Sequence, residues 1–264
     1  MDVFFLASLL LGVFAGLSAG LFGIGGGVVI VPILAWLLPL KGIPNDLIMI
    51  TAVATSLATI VFTSSSSLFA HHKRDYVLWD RAGYLSFGTV FGVIVGAFTA
   101  EHISNEHLRV LFALFLFFCA MQIFIQITPD AVKQPPKSPV IDYVVGILIG
   151  IISAISGTGG GTITVPYLIY RKINIKNAIA VSSACSVSIA LSASISYAYL
   201  GKKIPDFPDE SLGYIYLPAF FGITLCSIFT APLGAKLAHI LPAEKLKHYF
   251  AIVLFLLALK MLWH

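Results

Sequence analysis

Apolar residues fill this chain in long runs from one end to the other, and most of the runs are long enough to span a bilayer. Ten apolar segments are read, at roughly 3–22, 28–40, 47–70, 82–100, 108–127, 140–157, 161–170, 178–200, 213–232 and 248–262. Segments 28–40 and 161–170 are too short to cross a hydrocarbon core about 30 Å thick at about 1.5 Å per residue. Each of these two follows a glycine cluster. The longest polar stretches, Thr128–Pro139 and Gly201–Gly213, read as loops, and no soluble domain of useful size fits between the segments.

The pattern then repeats. Gly23-Ile24-Gly25-Gly26-Gly27 runs into Val31-Pro32, and Gly157-Thr158-Gly159-Gly160-Gly161 runs into Val165-Pro166. Gly12 and Gly16 match Gly146 and Gly150, and all these pairs lie 134 positions apart. Matches continue at nearby offsets: Ala52-Val53 with Ala180-Val181, Gly83-Tyr84 with Gly213-Tyr214, Phe91-Gly92 with Phe221-Gly222, and Gly96-Ala97 with Gly234-Ala235. Glu106, Leu108 and Phe112 match Glu244, Leu246 and Phe250. A whole half matched in order is the signature of a duplication. The expected fold is therefore an all-α polytopic membrane protein, with repeats over 1–132 and 133–264.

Five segments per half is an odd number, so two such halves in one membrane have opposite orientation. Charge tests this, because cytoplasmic loops collect Lys and Arg. Lys73, Arg74, Arg81, Lys133, Lys137, Arg171, Lys172, Lys176, Lys236, Lys245 and Lys247 fall on one side; Lys41, Arg109, Lys202, Lys203 and Lys260 fall on the other. The expectation is an inverted repeat in the plasma (inner) membrane, with both termini outside. Met1-Asp2 leads straight into an apolar run without a basic segment, so the first helix is expected to be retained.

Composition agrees: 58% of residues are hydrophobic and 11% charged, against about 25% charged in a soluble domain. The net charge of +4 is spread over short loops, which argues against nucleic acid as a partner. Cys119, Cys185 and Cys226 lie inside apolar segments and suggest no disulfide framework, and no metal-ligand spacing is present.

Broken helices at matching places of an inverted repeat point to a substrate site. Glycine turns free N–H groups and allow close approach, and the short helix that follows adds its positive dipole end, which together make an anion site. The candidates are Gly23, Gly25, Gly26, Gly27, Gly157, Thr158, Gly159, Gly160 and Gly161. Pro32 and Pro166, about a turn into these helices, fit a helix start just upstream. The bland alternative is that the glycines only let helices pack closely. A nucleotide-binding loop is disfavoured because no Lys-Ser/Thr follows. The next segment of each half is rich in hydroxyls, of which Thr55, Ser56, Ser182 and Ser183 are the chosen candidates; the expectation for most others is bonding back to their own helix. No Asp or Glu is read at a helix centre, so no carboxylate proton relay is evident. His71 and His72 read as interface residues, and Trp36, Trp79 and Trp263 as an interfacial belt.

At these residues the chain resembles the sulfite exporter TauE/SafE family of membrane permeases. The likeness rests on G-x-G-G-G-x4-P at Gly23–Pro32 and Gly157–Pro166, on Ala52–Leu57 and on Ser67–Val77, and covers essentially the whole chain. It implies a permease for sulfite, sulfonates or related small organosulfur anions. The second half departs from the Ala-Thr-Ser pattern at Val181–Cys185. The leading expectation is a secondary transporter working by alternating access, with the proton as candidate coupling ion and a homodimer as candidate assembly. A channel with a static glycine filter is the alternative. No catalytic constellation, resident cofactor or metal site is expected.

Overall fold

A computed structural model describes residues 3–22, 25–125, 138–203, 208–237 and 243–263. Ten helices run in chain order: α1 Val3–Phe22, α2 Gly27–Leu37, α3 Ile48–His72, α4 Trp79–His102, α5 Asn105–Ile125, α6 Pro139–Ser156, α7 Gly161–Tyr170, α8 Ile175–Leu200, α9 Leu217–Leu237 and α10 Ala243–Trp263. Seven helical segments are long and apolar enough to cross a membrane among the described residues. The chain is an all-α multi-pass membrane protein, because helices satisfy their own backbone hydrogen bonds where no water can. Among the described residues the only sheet is a short hairpin of two-residue strands, β1 Ser211–Leu212 with β2 Ile215–Tyr216. It occupies the start of the apolar segment expected from residue 213, so α9 begins later.

Side-chain contacts sort the helix ends into two groups. At one end, Asn177 donates to the Tyr76 carbonyl at 2.8 Å, Lys176 lies over the Tyr76 ring, and Arg81 faces Asp142. This basic end holds the end of α3, the start of α4, the start of α6, the end of α7 and the start of α8. At the opposite, strand end, the Asn105 side chain accepts from Met49 N–H at 2.8 Å, Lys41 lies over the Phe4 ring, and Phe4 meets Tyr216 edge-on. Here lie the start of α1, the turn after α2, the starts of α3 and α5, the end of α8 and the start of α9. The charges separated by sequence therefore separate in space wherever they are described.

The short helices double back. α1 leaves the strand end, and after its break α2 starts level with Ala15 of α1 and returns to Lys41 at the same end. α6 leaves the basic end, and after its break α7 returns there, with Tyr167 bonded to Asp142 of α6. α2 and α7 thus re-enter from mid-membrane.

The main packing partners are α1 with α9, α4 with α6, α3 with α8, and α5 with α10, joined by α4 with α8 and α3 with α9. This set maps onto itself when α1–α5 are exchanged with α6–α10. α3 and α8 form the buried centre; α1, α4, α6, α9 and α10 turn Phe14, Phe87, Phe91, Leu148, Phe229 and Leu256 outward, as a lipid-facing surface requires. Small residues set the close contacts. A Cβ on Gly12 or Gly16 would strike Ile223 or Ser227 of α9, and one on Gly146 or Gly150 would strike Leu85 or Thr89 of α4. For these four glycines, close helix packing is the whole account.

Candidate substrate site at the paired helix breaks

The two breaks meet. Gly25, Gly26, Gly157 and Gly160 have φ of 78°, 77°, 66° and 74°, a region that costs other residues about 1–2 kcal/mol each. Gly26 and Gly160, 134 positions apart, stand immediately before α2 and α7. Gly27 packs so closely on Gly157 that an added Cβ would strike the Gly157 carbonyl oxygen and lie 3.0 Å from Thr158 Cα. Gly25 faces Gly159 with more room, an added Cβ lying 3.7 Å from Gly159 Cα. Ile60 of α3 covers both breaks. Gly23 lies outside the described residues.

This geometry brings the N-termini of two helices running in opposite directions into one region. Each contributes first-turn N–H groups without helical acceptors and a positive dipole end. Two like ends facing each other favour negative charge between them.

The prolines differ from expectation. Pro32 and Pro166 are the sixth residues of α2 and α7, past the turn where a missing N–H is free. Each removes the helical donor to the carbonyl four residues back, Val28 or Thr162. The breaks are therefore polar on both counts, with free N–H groups and released carbonyls.

The hydroxyl candidates divide. Ser56, fully buried, donates to Gly157 O at 2.8 Å and ties α3 of one half to the break of the other. Ser182 is buried and its Oγ makes no hydrogen bond among the described residues. Thr55 accepts from Tyr216 N–H at 3.0 Å, which anchors the hairpin, not the breaks. Ser183 donates to Ile179 O of its own helix and meets Ser67 Oγ at 3.1 Å. Thr158 Oγ1 pairs with Ser156 Oγ. Most other hydroxyls of α3 and α8 bond back into their own helix, as Thr59, Ser188, Ser192 and Ser194 do.

Sequence reasoning missed three groups here. Ser186 donates to Gly159 O at 2.5 Å; it matches Ser56 at the 130-residue offset that relates Gly83 to Gly213, and that signal was legible. Ser153 Oγ is fully buried, lacks a partner among the described residues, and lies 2.9 Å from where a Cβ on Gly160 would stand. The third is a buried ion pair at the basic end. Arg81, 6% exposed, faces Asp142, 1% exposed, at 3.6 Å, and Tyr167 donates to the other Asp142 oxygen at 2.5 Å. A carboxylate three residues past Pro139 reads from sequence as a solvated helix start, yet α4 and α7 close over it.

An apolar surface cleft of about 650 Å³ between α4 and α6, lined by Trp79, Gly83, Tyr84, Phe87, Pro139 and Val140, faces lipid and lies away from the breaks. Among the described residues no cluster of metal-ligating side chains is present.

Comparison with known proteins agrees with this architecture. A "probable membrane transporter protein" of Haemophilus influenzae is 41% identical, covering 99% of each chain. A "probable membrane transporter protein" of Methanocaldococcus jannaschii is 27% identical over 96% of this chain and 94% of its own, and one of Bacillus subtilis is 23% identical over 76% of this chain and 84% of its own. No solved structure matches. The model of the sulfite exporter TauE/SafE family matches residues 8–261, and the chain belongs to that family of membrane transporters.

Proposed function

We propose that the protein is a secondary transporter of a small anion, namely sulfite, a sulfonate or a related organosulfur anion, in the plasma membrane. The anion binds between the two glycine breaks, and the two halves, inverted repeats of each other, rock about it to open one membrane face at a time. The observation that carries this reading is the seating of Gly25–Gly27 against Gly157–Gly159, with the positive ends of α2 and α7 turned to the same place and the Ser153 hydroxyl beside it without a partner among the described residues. Ser56 and Ser186 brace the break carbonyls. A carrier is favoured over a channel because the breaks touch: a static filter needs a standing gap, whereas an occluded carrier closes on itself.

The test is uptake of radiolabelled sulfite and methanesulfonate into proteoliposomes. Saturable uptake at modest turnover is expected; resolvable single-channel current would favour the channel, and no uptake of either anion by folded protein would remove the substrate assignment.

A further inference from the structure

We infer that Asp142 is the proton-binding residue through which a proton gradient drives transport, with Arg81 reading its charge state. The inference rests on the transporter reading and names its coupling site.

The pair is built unlike a structural one. A buried Arg–carboxylate pair that serves stability closes at about 2.7–2.9 Å, often through two parallel hydrogen bonds. Here Arg81 Nη1 stands 3.6 Å from Asp142 Oδ2 and makes no hydrogen bond among the described residues. Both side chains are nine-tenths buried or more. Ions are costly in that setting unless fully paired, and this pair is only loosely closed. Both groups stand in the first turn of their helices at the basic end, beside one compartment.

The pair bridges the halves: Arg81 comes from α4 in the first half and Asp142 from α6 in the second, while Tyr167 comes from α7, whose other end is the Gly160 break. A proton on Asp142 Oδ2 removes the charge that holds Arg81, while Oδ1 still accepts from Tyr167. The tie between α4 and α6 is then loosened at the basic end, and Arg81 keeps an uncompensated positive charge. The Gly157–Gly160 break lies at the other end of α6 from Asp142, so α6 and α7 link the two sites, and one proton on Asp142 goes with one anion at the breaks.

The surroundings are otherwise quiet. From α8 the buried Cys185 faces Asp142; Arg171, after α7, acts on Tyr167. α3 brings His71 and His72 to this end, Tyr143 is Asp142's neighbour on α6, Asp80 is exposed, and α5 carries Glu106 and Arg109 at the opposite end. The repeat puts Ser8, Ser211 and Ile33 where the other half would hold Asp142, Arg81 and Tyr167. The device exists at one membrane face only, as a coupling site that must sense one compartment requires.

Methanesulfonate is the probe, because it stays a monoanion and any pH dependence belongs to the protein. Wild-type protein in weakly buffered detergent should take up one proton per methanesulfonate bound, and affinity should fall about tenfold per pH unit on the alkaline side. Asp142→Asn should bind with no proton uptake and no pH dependence; in vesicles it should exchange anion but not accumulate it against a gradient. The double variant Arg81→Gln/Asp142→Asn leaves no charge unpaired and should fold while lacking proton uptake. A second arm needs no anion: the infrared difference spectrum on acidification should show a carboxylic acid band that Asp142→Asn lacks, and Asp142→Glu should restore a shifted one. Anion binding without proton uptake, or an unchanged band in Asp142→Asn, overturns the inference. Failure of methanesulfonate to bind while the band behaves as expected overturns the substrate reading alone.

Discussion

Gly25 and Gly26 are neighbours with the same backbone conformation and different surroundings. A side chain on Gly26 would lie 2.9 Å from the Ala15 carbonyl oxygen, whereas one on Gly25 meets nothing closer than 3.7 Å. Gly26→Val is therefore expected to lose folded protein along with transport. Gly25→Ala costs about 1–2 kcal/mol of backbone strain but places its methyl between the breaks. Its expected outcome is a monodisperse protein by gel filtration with a lowered melting temperature and strongly reduced uptake; uptake at the wild-type rate would put the substrate elsewhere. Ser56→Ala and Ser186→Ala each strand a break carbonyl, at about 1–3 kcal/mol, so thermal unfolding should move down in both. Thr55→Val should destabilise similarly through the Tyr216 N–H yet leave the apparent affinity for anion unchanged, which a KM measurement checks. The glycines were legible because the matching clusters singled them out, and a left-handed backbone demands Gly25, Gly26, Gly157 and Gly160. The hydroxyls were only partly legible, since Ser56 and Thr55 differ solely in which way a helix face turns. Asp142 was hidden because a carboxylate near a helix start looks the same whether solvent or α4 covers it.

Helices were legible as apolar runs, and 161–170 coincides with α7. Ends were less so, because Trp79, Asp80 and Arg81 are polar enough to read as loop yet form the first turn of α4. Pro32 and Pro166 are the features whose meaning changed most. At the sixth position they act as interior prolines, each costing its helix about 3 kcal/mol. Pro166→Ala restores the donor to Thr162 O and should stiffen α7. The expected result is a raised melting temperature with slower turnover; a variant that is stabilised and equally fast would mean that α7 does not flex at this point during transport. α2 and α7 also show why length alone misleads: each spans only the distance from the centre to one face, and their partner helices complete the crossing.

At the scale of the molecule, we propose from the charge asymmetry that the basic end faces the cytoplasm and both termini the outside. Single cysteines test this once the half-buried Cys226 is replaced by alanine, since Cys119 and Cys185 are buried. Lys202→Cys in intact cells should react with a membrane-impermeant maleimide, and Lys73→Cys only after the membrane is opened; the reverse pattern would invert the orientation without altering the fold. How the halves interlock was not legible. Matching glycines lead to the expectation of two copies, but only packing shows that the principal contacts run from α1–α5 to α6–α10.

That interlock sets a condition on how the chain is made. α1 has its long-axis partner in α9, and Gly27 has its seat at Gly157. When α1–α3 have entered the bilayer, the surface that will cover their break is still inside the ribosome. The first half must wait in lipid with its polar turn uncovered until about half the protein has followed it. Membrane insertion and assembly are thus separate events in biogenesis, and the two halves supplied as separate polypeptides should find each other and reconstitute one carrier.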